Sequence, residues 1–147
     1  MRALLQRVER AEVRVGDEVV GRIGPGLLVL LGVGRDDDEA TTEALARRIA
    51  DLRIFEDDAG RTNRSLLEVG GAALVVSQFT LHADTSRGRR PGFTNAARPD
   101  RAKALYERFA MELAGLGVPV ERGRFGAHMA VELVNDGPFT IWLDSER

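Results

Sequence analysis

Apolar and polar positions along the chain follow two rhythms, one suited to strands and one to helices. Val8 to Val15, "VERAEVRV", alternates loosely; Gly16-Asp17 is a turn signal, and "EVVGRI" follows. Together they predict a β-hairpin. Gly24-Pro25-Gly26 interrupts the pattern, and Leu27 to Val33 then runs apolar without a break, as in a strand covered on both faces. Asp36 and Glu39 have the spacing of a capping box, and Leu45, Ile49 and Leu52 recur at helical spacing. They predict a helix from about Asp37 to Asp51. "EDDAGRTN" reads as a loop, and Ala72 to Phe79, "AALVVSQF", as a second buried strand. Asp100 is expected to cap another helix, with Ala102, Leu105, Tyr106, Phe109, Leu113 and Leu116 on one face. Near the C-terminus, Val131 to Val134 and Phe139 to Leu143 flank "NDGPFT". Asn, Asp, Gly and Pro are turn residues, so this pattern predicts two paired strands joined by a turn. The whole predicts an α+β fold. A mostly antiparallel or mixed β-sheet curls toward a barrel and is covered by two main helices, as a single domain over residues 1–147.

Composition adds boundaries. The 147 residues are 44% hydrophobic and 30% charged, the balance of an ordinary globular domain able to bury its own core. Cysteine is absent, which excludes disulfides and thiolate metal sites. "MRALLQRVER" has no apolar leader core, and "GLLVLLGVG" is too short to span a bilayer, so the cytoplasm is the expected location. The net charge is −2, from 21 basic and 23 acidic residues, which argues against wholesale coating of a polyanion. Lys103 is the sole lysine; every other basic residue is arginine, whose planar fork suits phosphate and carboxylate. High arginine content also follows from GC-rich coding, so the position of each arginine matters more than the number. One stretch stands out. Leu81 to Pro99, "LHADTSRGRRPGFTNAARP", is polar, basic and long for a connection inside a compact domain.

The usual catalytic constellations are missing: no Walker loop, no GxSxG elbow, no HExxH, and "GRIGPG" lacks the context of a dinucleotide fingerprint. Acidic runs at Asp36 to Asp38 and Glu56 to Asp58 read as a helix start and a solvated loop rather than a cation site. Thr80 and His82 lie two residues apart, which in an extended segment puts both on one face as a conceivable nucleophile and base. The plainer reading of His82 is a polar residue leaving a strand, and of His128 a packing or solvent-facing residue at a strand start. "SQFT", Ser77 to Thr80, closes the second buried strand just before the basic loop. Its hydroxyls, amide and backbone N–H groups suit an oxyanion hole better than a strong base, although they can equally just end a strand.

"SQFTLHADTSRGRRPGF" followed by "NDGPFT" resembles the D-aminoacyl-tRNA deacylase family. The likeness covers the whole chain, including "ALLQRV", "GLLVLLGV", "RIFEDDAGR", "PDRAKALYERF" and "GRFGAHM". It implies hydrolysis of the ester joining a D-amino acid, or mischarged glycine, to the 3′-terminal adenosine of tRNA, with L-aminoacyl-tRNA left alone. It also implies a homodimer acting on aminoacyl-tRNA, with no cofactor and no required metal. By the same resemblance, Ser77, Gln78, Phe79 and Thr80 line the catalytic pocket. Gly137 and Pro138, joined by a cis bond, reach across the dimer as a chiral gate, and Arg7 holds that motif. Phe93 and Met129 border the adenosine. Phe139 is bulkier than the residue expected after Gly-Pro in this family.

The implied chemistry is attack of water on the ester, with the Phe79 and Thr80 N–H groups stabilising the oxyanion. Arg87, Arg89 and Arg90, and with them Arg98 and Arg101, are candidates for tRNA phosphates, or simply a solvated basic loop. Two other classes remain open: a non-catalytic RNA-binding dimer of the same fold, and an unrelated esterase using Thr80 and His82.

Overall fold

The computed structural model describes residues 1–147. The chain opens with a long strand β1 (Arg2–Val15), turns at Gly16-Asp17 into β2 (Glu18–Ile23), and continues through β3 (Gly26–Gly32). Helix α1 (Glu39–Asp51) and a small hairpin of β4 (Arg53–Glu56) and β5 (Thr62–Ser65) follow. A one-turn helix α2 (Leu66–Val69), strand β6 (Ala72–Ser77), helix α3 (Pro99–Gly115), strand β7 (Val120–Arg122) and strand β8 (Ala130–Asp144) complete it.

The main sheet runs β2-β1-β3-β6-β7, with β8 on the other edge of β1. β1 pairs antiparallel with β2, β3 and β8, whereas β3/β6 and β6/β7 are parallel. The sheet is therefore mixed, as expected. β1 serves two partners on one edge, β3 along Arg2–Val8 and β2 along Ala11–Val15. Its buried side chains move from the helix-covered face, with Ala3 and Leu5, to the barrel interior, with Val8, Ala11 and Val13, and the alternation breaks between Val8 and Ala11, where the pairing with β8 also slips. Such an irregularity bends the strand and sharpens its twist. The bend carries β2 round toward β7, close enough that a Cβ on Gly21 would lie 2.6 Å from the Arg122 carbonyl oxygen. The result is a nearly closed barrel.

The unbroken apolar runs are explained by cover on both faces. Leu27, Val29 and Leu31 of β3 and Ala73 and Val75 of β6 face α1 and α3, against Leu45, Ile49, Leu105, Phe109 and Leu113. Leu28, Leu74 and Val76 point the other way, into the barrel interior with Val8, Val13 and Ile23.

Several local expectations need correction. Asp38, not Asp36, caps α1, and its carboxylate accepts from the Thr41 N–H. A true capping box occurs elsewhere, between Ser65 and Glu68 at α2. Arg98 rather than Asp100 is the N-cap of α3; Pro99 takes the first helical position, where its missing N–H costs nothing, and Asp100 sits in the first turn. "EDDAGRTN" is a hairpin tip with short strands on either side, held by Asp57, which accepts from the N–H groups of Ala59 and Arg61. Strand β6 ends at Ser77, and Phe79–His82 form a 3₁₀ turn, so Thr80 and His82 do not share an extended face.

The largest correction concerns "NDGPFT". No hairpin forms there. Residues on both sides of it belong to the one strand β8 and pair with the same partner, β1. Gln6 pairs with Thr140 and Val8 with Asn135, so the four residues Asp136–Phe139 have no counterpart on β1 and form an enlarged bulge.

Candidate active site and its projecting loop

The cavity is built at the end of one strand and the bulge in the middle of another. At the C-terminal end of β6, the Gln78 N–H still bonds the Leu31 carbonyl at 2.8 Å, and the chain then tightens into the 3₁₀ turn. The first N–H groups of a helical turn have no partner within it. Those of Phe79 and Thr80 donate to no acceptor in the chain. The Thr80 hydroxyl accepts from the Gln78 side-chain amide. His82 turns away, buried, with Nε2 3.1 Å from the Gly32 carbonyl oxygen. Burial holds its pKa below the ordinary value, with the Gly32 hydrogen bond opposing. Thr80 therefore has no base on its hydroxyl.

Beside this turn lies a mostly apolar cavity of about 570 Å³, within the size range of small-molecule sites. Ser77, Gln78, Phe79, Phe93 and Met129 all line it; Thr80 does not. Phe79 and Phe93 meet edge to face at 4.9 Å, and both remain exposed at the mouth, 53% and 37%. Phe93 is brought there by the long loop, which is ordered by backbone bonds. Asp84 and Gly92 exchange two hydrogen bonds, and the Ala97 N–H donates to Val33 O. The Asp84–Gly92 pair leaves Arg87, Arg89 and Arg90 on an exposed excursion, outside the cavity and without ion-pair partners. Arg101, by contrast, is occupied by Glu39. Phe125 and His128 also line the cavity, though the pattern of apolar positions gave no reason to place them there. Met129 reaches it because Gly123 carries no side chain; a Cβ there would lie 2.7 Å from the Met129 sulfur.

A second, smaller cavity of about 210 Å³ around Met1, Asp37, His82 and Asp144 is polar, and several of its charged groups are paired with one another. The Met1 ammonium donates to Asp37 and Ser145, and Arg2 donates to Asp144.

The bulge is held as deliberately as the cavity. Arg7, 5% exposed, points its guanidinium beneath it. Nε donates to the Asp136 carbonyl at 3.1 Å, Nη1 to the Ile54 carbonyl at 2.7 Å, and the cation stacks 4.5 Å from the Phe139 ring centre. Phe139, half-buried, thus forms part of the support. Asn135 closes the neck. Its amide donates to Arg7 O and Phe139 O, and its oxygen accepts from the Phe139 N–H. Gly137 and Pro138 are exposed at the tip, and the bond between them is cis. Gly137 has φ +142°, a region that favours glycine, and a Cβ there would lie 2.8 Å from Phe139 N.

One chain does not bring the bulge to its own cavity. β8, β1, β3 and β6 are consecutive neighbours, and Arg7 is level with Ala73, four residues before Ser77. Three strand spacings and four residues separate the two ends by roughly 15–20 Å.

The matching family model, D-Tyr-tRNA(Tyr) deacylase, covers residues 4–144. The chain belongs to that family. It is 62% identical over 147 residues to the D-aminoacyl-tRNA deacylase of Symbiobacterium thermophilum, covering 100% of this chain and 97% of that one. With the protein of the same name from Thermomicrobium roseum it shares 63% identity over 145 residues, covering 99% and 94%. Among solved structures, the c-Myc DNA Unwinding Element Binding Protein superposes with a TM-score of 0.93 at 39% identity, over 98% of both chains. A probable eukaryotic D-amino acid tRNA deacylase superposes with a TM-score of 0.85 at 21% identity, over 97% of both, which speaks for the fold. As a member of a deacylase family, the chain is a hydrolytic enzyme.

Proposed function

We propose that the chain hydrolyses the ester between a D-amino acid, or mischarged glycine, and the 3′-terminal adenosine of tRNA, in the cytoplasm and as a homodimer. The observation that carries this reading is the pairing of a nucleoside-sized cavity with a braced, exposed bulge that cannot reach it within one chain. In a two-fold dimer, whatever one subunit offers its partner is offered back. Gly137-Pro138 of each subunit would then close the other's cavity.

In that arrangement the terminal adenosine lies among Phe79, Phe93, Phe125 and Met129, and the aminoacyl ester faces the 3₁₀ turn. Water attacks the ester carbon. The developing oxyanion accepts from the Phe79 and Thr80 N–H groups, which already lack partners. The intermediate then expels the ribose oxygen, which takes a proton, and releases amino acid and tRNA. The neighbouring ribose hydroxyl can relay the proton, so no side-chain base is needed.

Chirality is a matter of exclusion. L and D esters differ by exchange of hydrogen and side chain at one carbon, and differential binding alone discriminates weakly between such forms. Fixed backbone does better, because displacing it is costly. Side chains use the Asp136 and Phe139 carbonyls but not those of Gly137 and Pro138, which would take the substrate ammonium and leave no room for an L side chain.

Mixed dimers test the reading. Gly137→Ala and Phe93→Glu should each abolish D-aminoacyl-tRNA hydrolysis. Unfolded, refolded mixtures should regain about a quarter of wild-type activity, one intact site per heterodimer. No recovery in verified heterodimers would refute the shared site. The likeness to a DNA-unwinding-element binding protein supports a second reading, a nucleic-acid binder without catalysis. Tight binding of single-stranded DNA with no hydrolysis of any aminoacyl-tRNA would favour it.

A further inference from the structure

The cavity has a neighbour. Phe125 forms a wall of it and also a wall of an open depression of about 240 Å³, lined on its other sides by Lys103, Tyr106, Glu107, Arg122 and Arg124. Three cations meet one carboxylate there. Lys103 and Arg122 have no ion-pair partner, whereas Arg124 bridges Glu18 at 3.2 Å. This local excess of positive charge runs against the net charge of −2 of the whole chain. Elsewhere some arginines are neutralised, Arg10 and Arg14 by Glu132, Arg22 by Glu12 and Arg108 by Glu43, while others, such as Arg35, Arg48 and Arg61, have no ion-pair partner. Tyr106 donates its hydroxyl inward to Val75 O, and burial pushes its pKa up to about 12, so only its ring faces the depression, packed 5.8 Å from Phe125. The backbone that carries Arg122 and Arg124 is held by the same strand edge, since the Gly123 N–H also bonds Val75 O.

We propose that Lys103 and Arg122, with Arg124 beside them, bind the backbone phosphate immediately preceding the terminal adenosine, so that the single-stranded 3′ end crosses Phe125 between cavity and depression. This rests on the deacylase reading and adds the direction in which the RNA leaves. An unpaired ammonium and guanidinium supply charge-assisted bonds to a phosphate, and the shared aromatic wall puts them one nucleotide from the adenosine site. The exposed arginines at 87, 89 and 90 line neither hollow.

The test compares two substrates carrying the same ester, D-aminoacyl-tRNA and D-aminoacyl-adenosine, the second without any phosphate. In the Lys103→Gln/Arg122→Gln variant, kcat/KM on tRNA relative to that on the adenosine ester should fall about tenfold, through KM. Binding of a fluorescent CCA oligonucleotide should lose about 0.7 from its log–log salt slope per phosphate contact removed. Arg48→Gln, another unpaired arginine on the exposed side of α1, controls for net charge. An unchanged ratio and salt slope, or equal losses on both substrates, overturns the proposal. Wild-type protein that binds the oligonucleotide with the expected slope but hydrolyses neither ester overturns the deacylase reading alone.

Discussion

Replacing Arg7 by methionine separates support of the bulge from support of the fold. Methionine matches the length of the arginine stem but donates nothing. The change strands the buried Ile54 carbonyl, which accepts from Arg7 at 2.7 Å, at a cost of about 1–3 kcal/mol. The stacking on Phe139 is worth about 1–2 kcal/mol more when desolvated. Against this, the guanidinium no longer needs to be stripped of water. The net loss is about 3 kcal/mol, or about 10 °C in melting temperature for a chain of this length at fixed protein concentration. Activity should fall further than stability explains. The Asp136 carbonyl loses its donor at 3.1 Å, the bulge is freed at one of its two anchors, and a displacement of about 1 Å costs about 10²-fold in rate. The assay is deacylation of D-aminoacyl-tRNA at a temperature where circular dichroism shows both proteins folded. Arg7→Lys restores the charge without the fork and should recover stability more than rate. A folded Arg7→Met protein with wild-type kcat/KM would refute the reasoning.

Other consequences are more local. Asn135→Ala removes three hydrogen bonds at the neck of the bulge and should lower the D-over-L rate ratio more than the melting temperature; an unchanged ratio counts against it. Thr80→Ala should retain substantial deacylation, because the proposed mechanism uses the Thr80 N–H, which has no acceptor in the chain, and not its hydroxyl; a trapped acyl-enzyme in wild type, absent in the variant, would contradict this. His82 has a folded pKa below its unfolded value of about 6.5, so its contribution is complete above that pH and is lost as pH falls toward the folded pKa. His82→Asn should flatten the decline of the urea midpoint below pH ~6.5; identical slopes would exclude His82 as its source.

How much of this was legible in the sequence depended on how local the cause was. The runs Leu27–Val33 and Ala72–Ser77 were readable because both faces are covered, so burial left no alternation to misread. The face of α3 was readable because six buried residues keep a helical spacing within one element. "NDGPFT" was misread for a definite reason. A turn and a bulge ask for the same residues, and the choice between them lies with the partner strand, β1, at the opposite end of the chain. The cavity was half visible. Ser77, Gln78, Phe79 and Phe93 bracket the basic loop, while Phe125 and His128 arrive from "GRFGAH", whose glycines carry no periodic signal. Lys103 and Arg122 are 19 positions apart, and the fold brings them to one depression through the packing of α3 against β7.

The central claim is that backbone at Gly137-Pro138 rejects the L configuration at the 3₁₀ turn. It is tested most directly by measuring kcat/KM for deacylation of one tRNA charged with the D and with the L form of the same amino acid. The account predicts rapid release of the D-amino acid and an intact L ester. Equal rates for the two would contradict it.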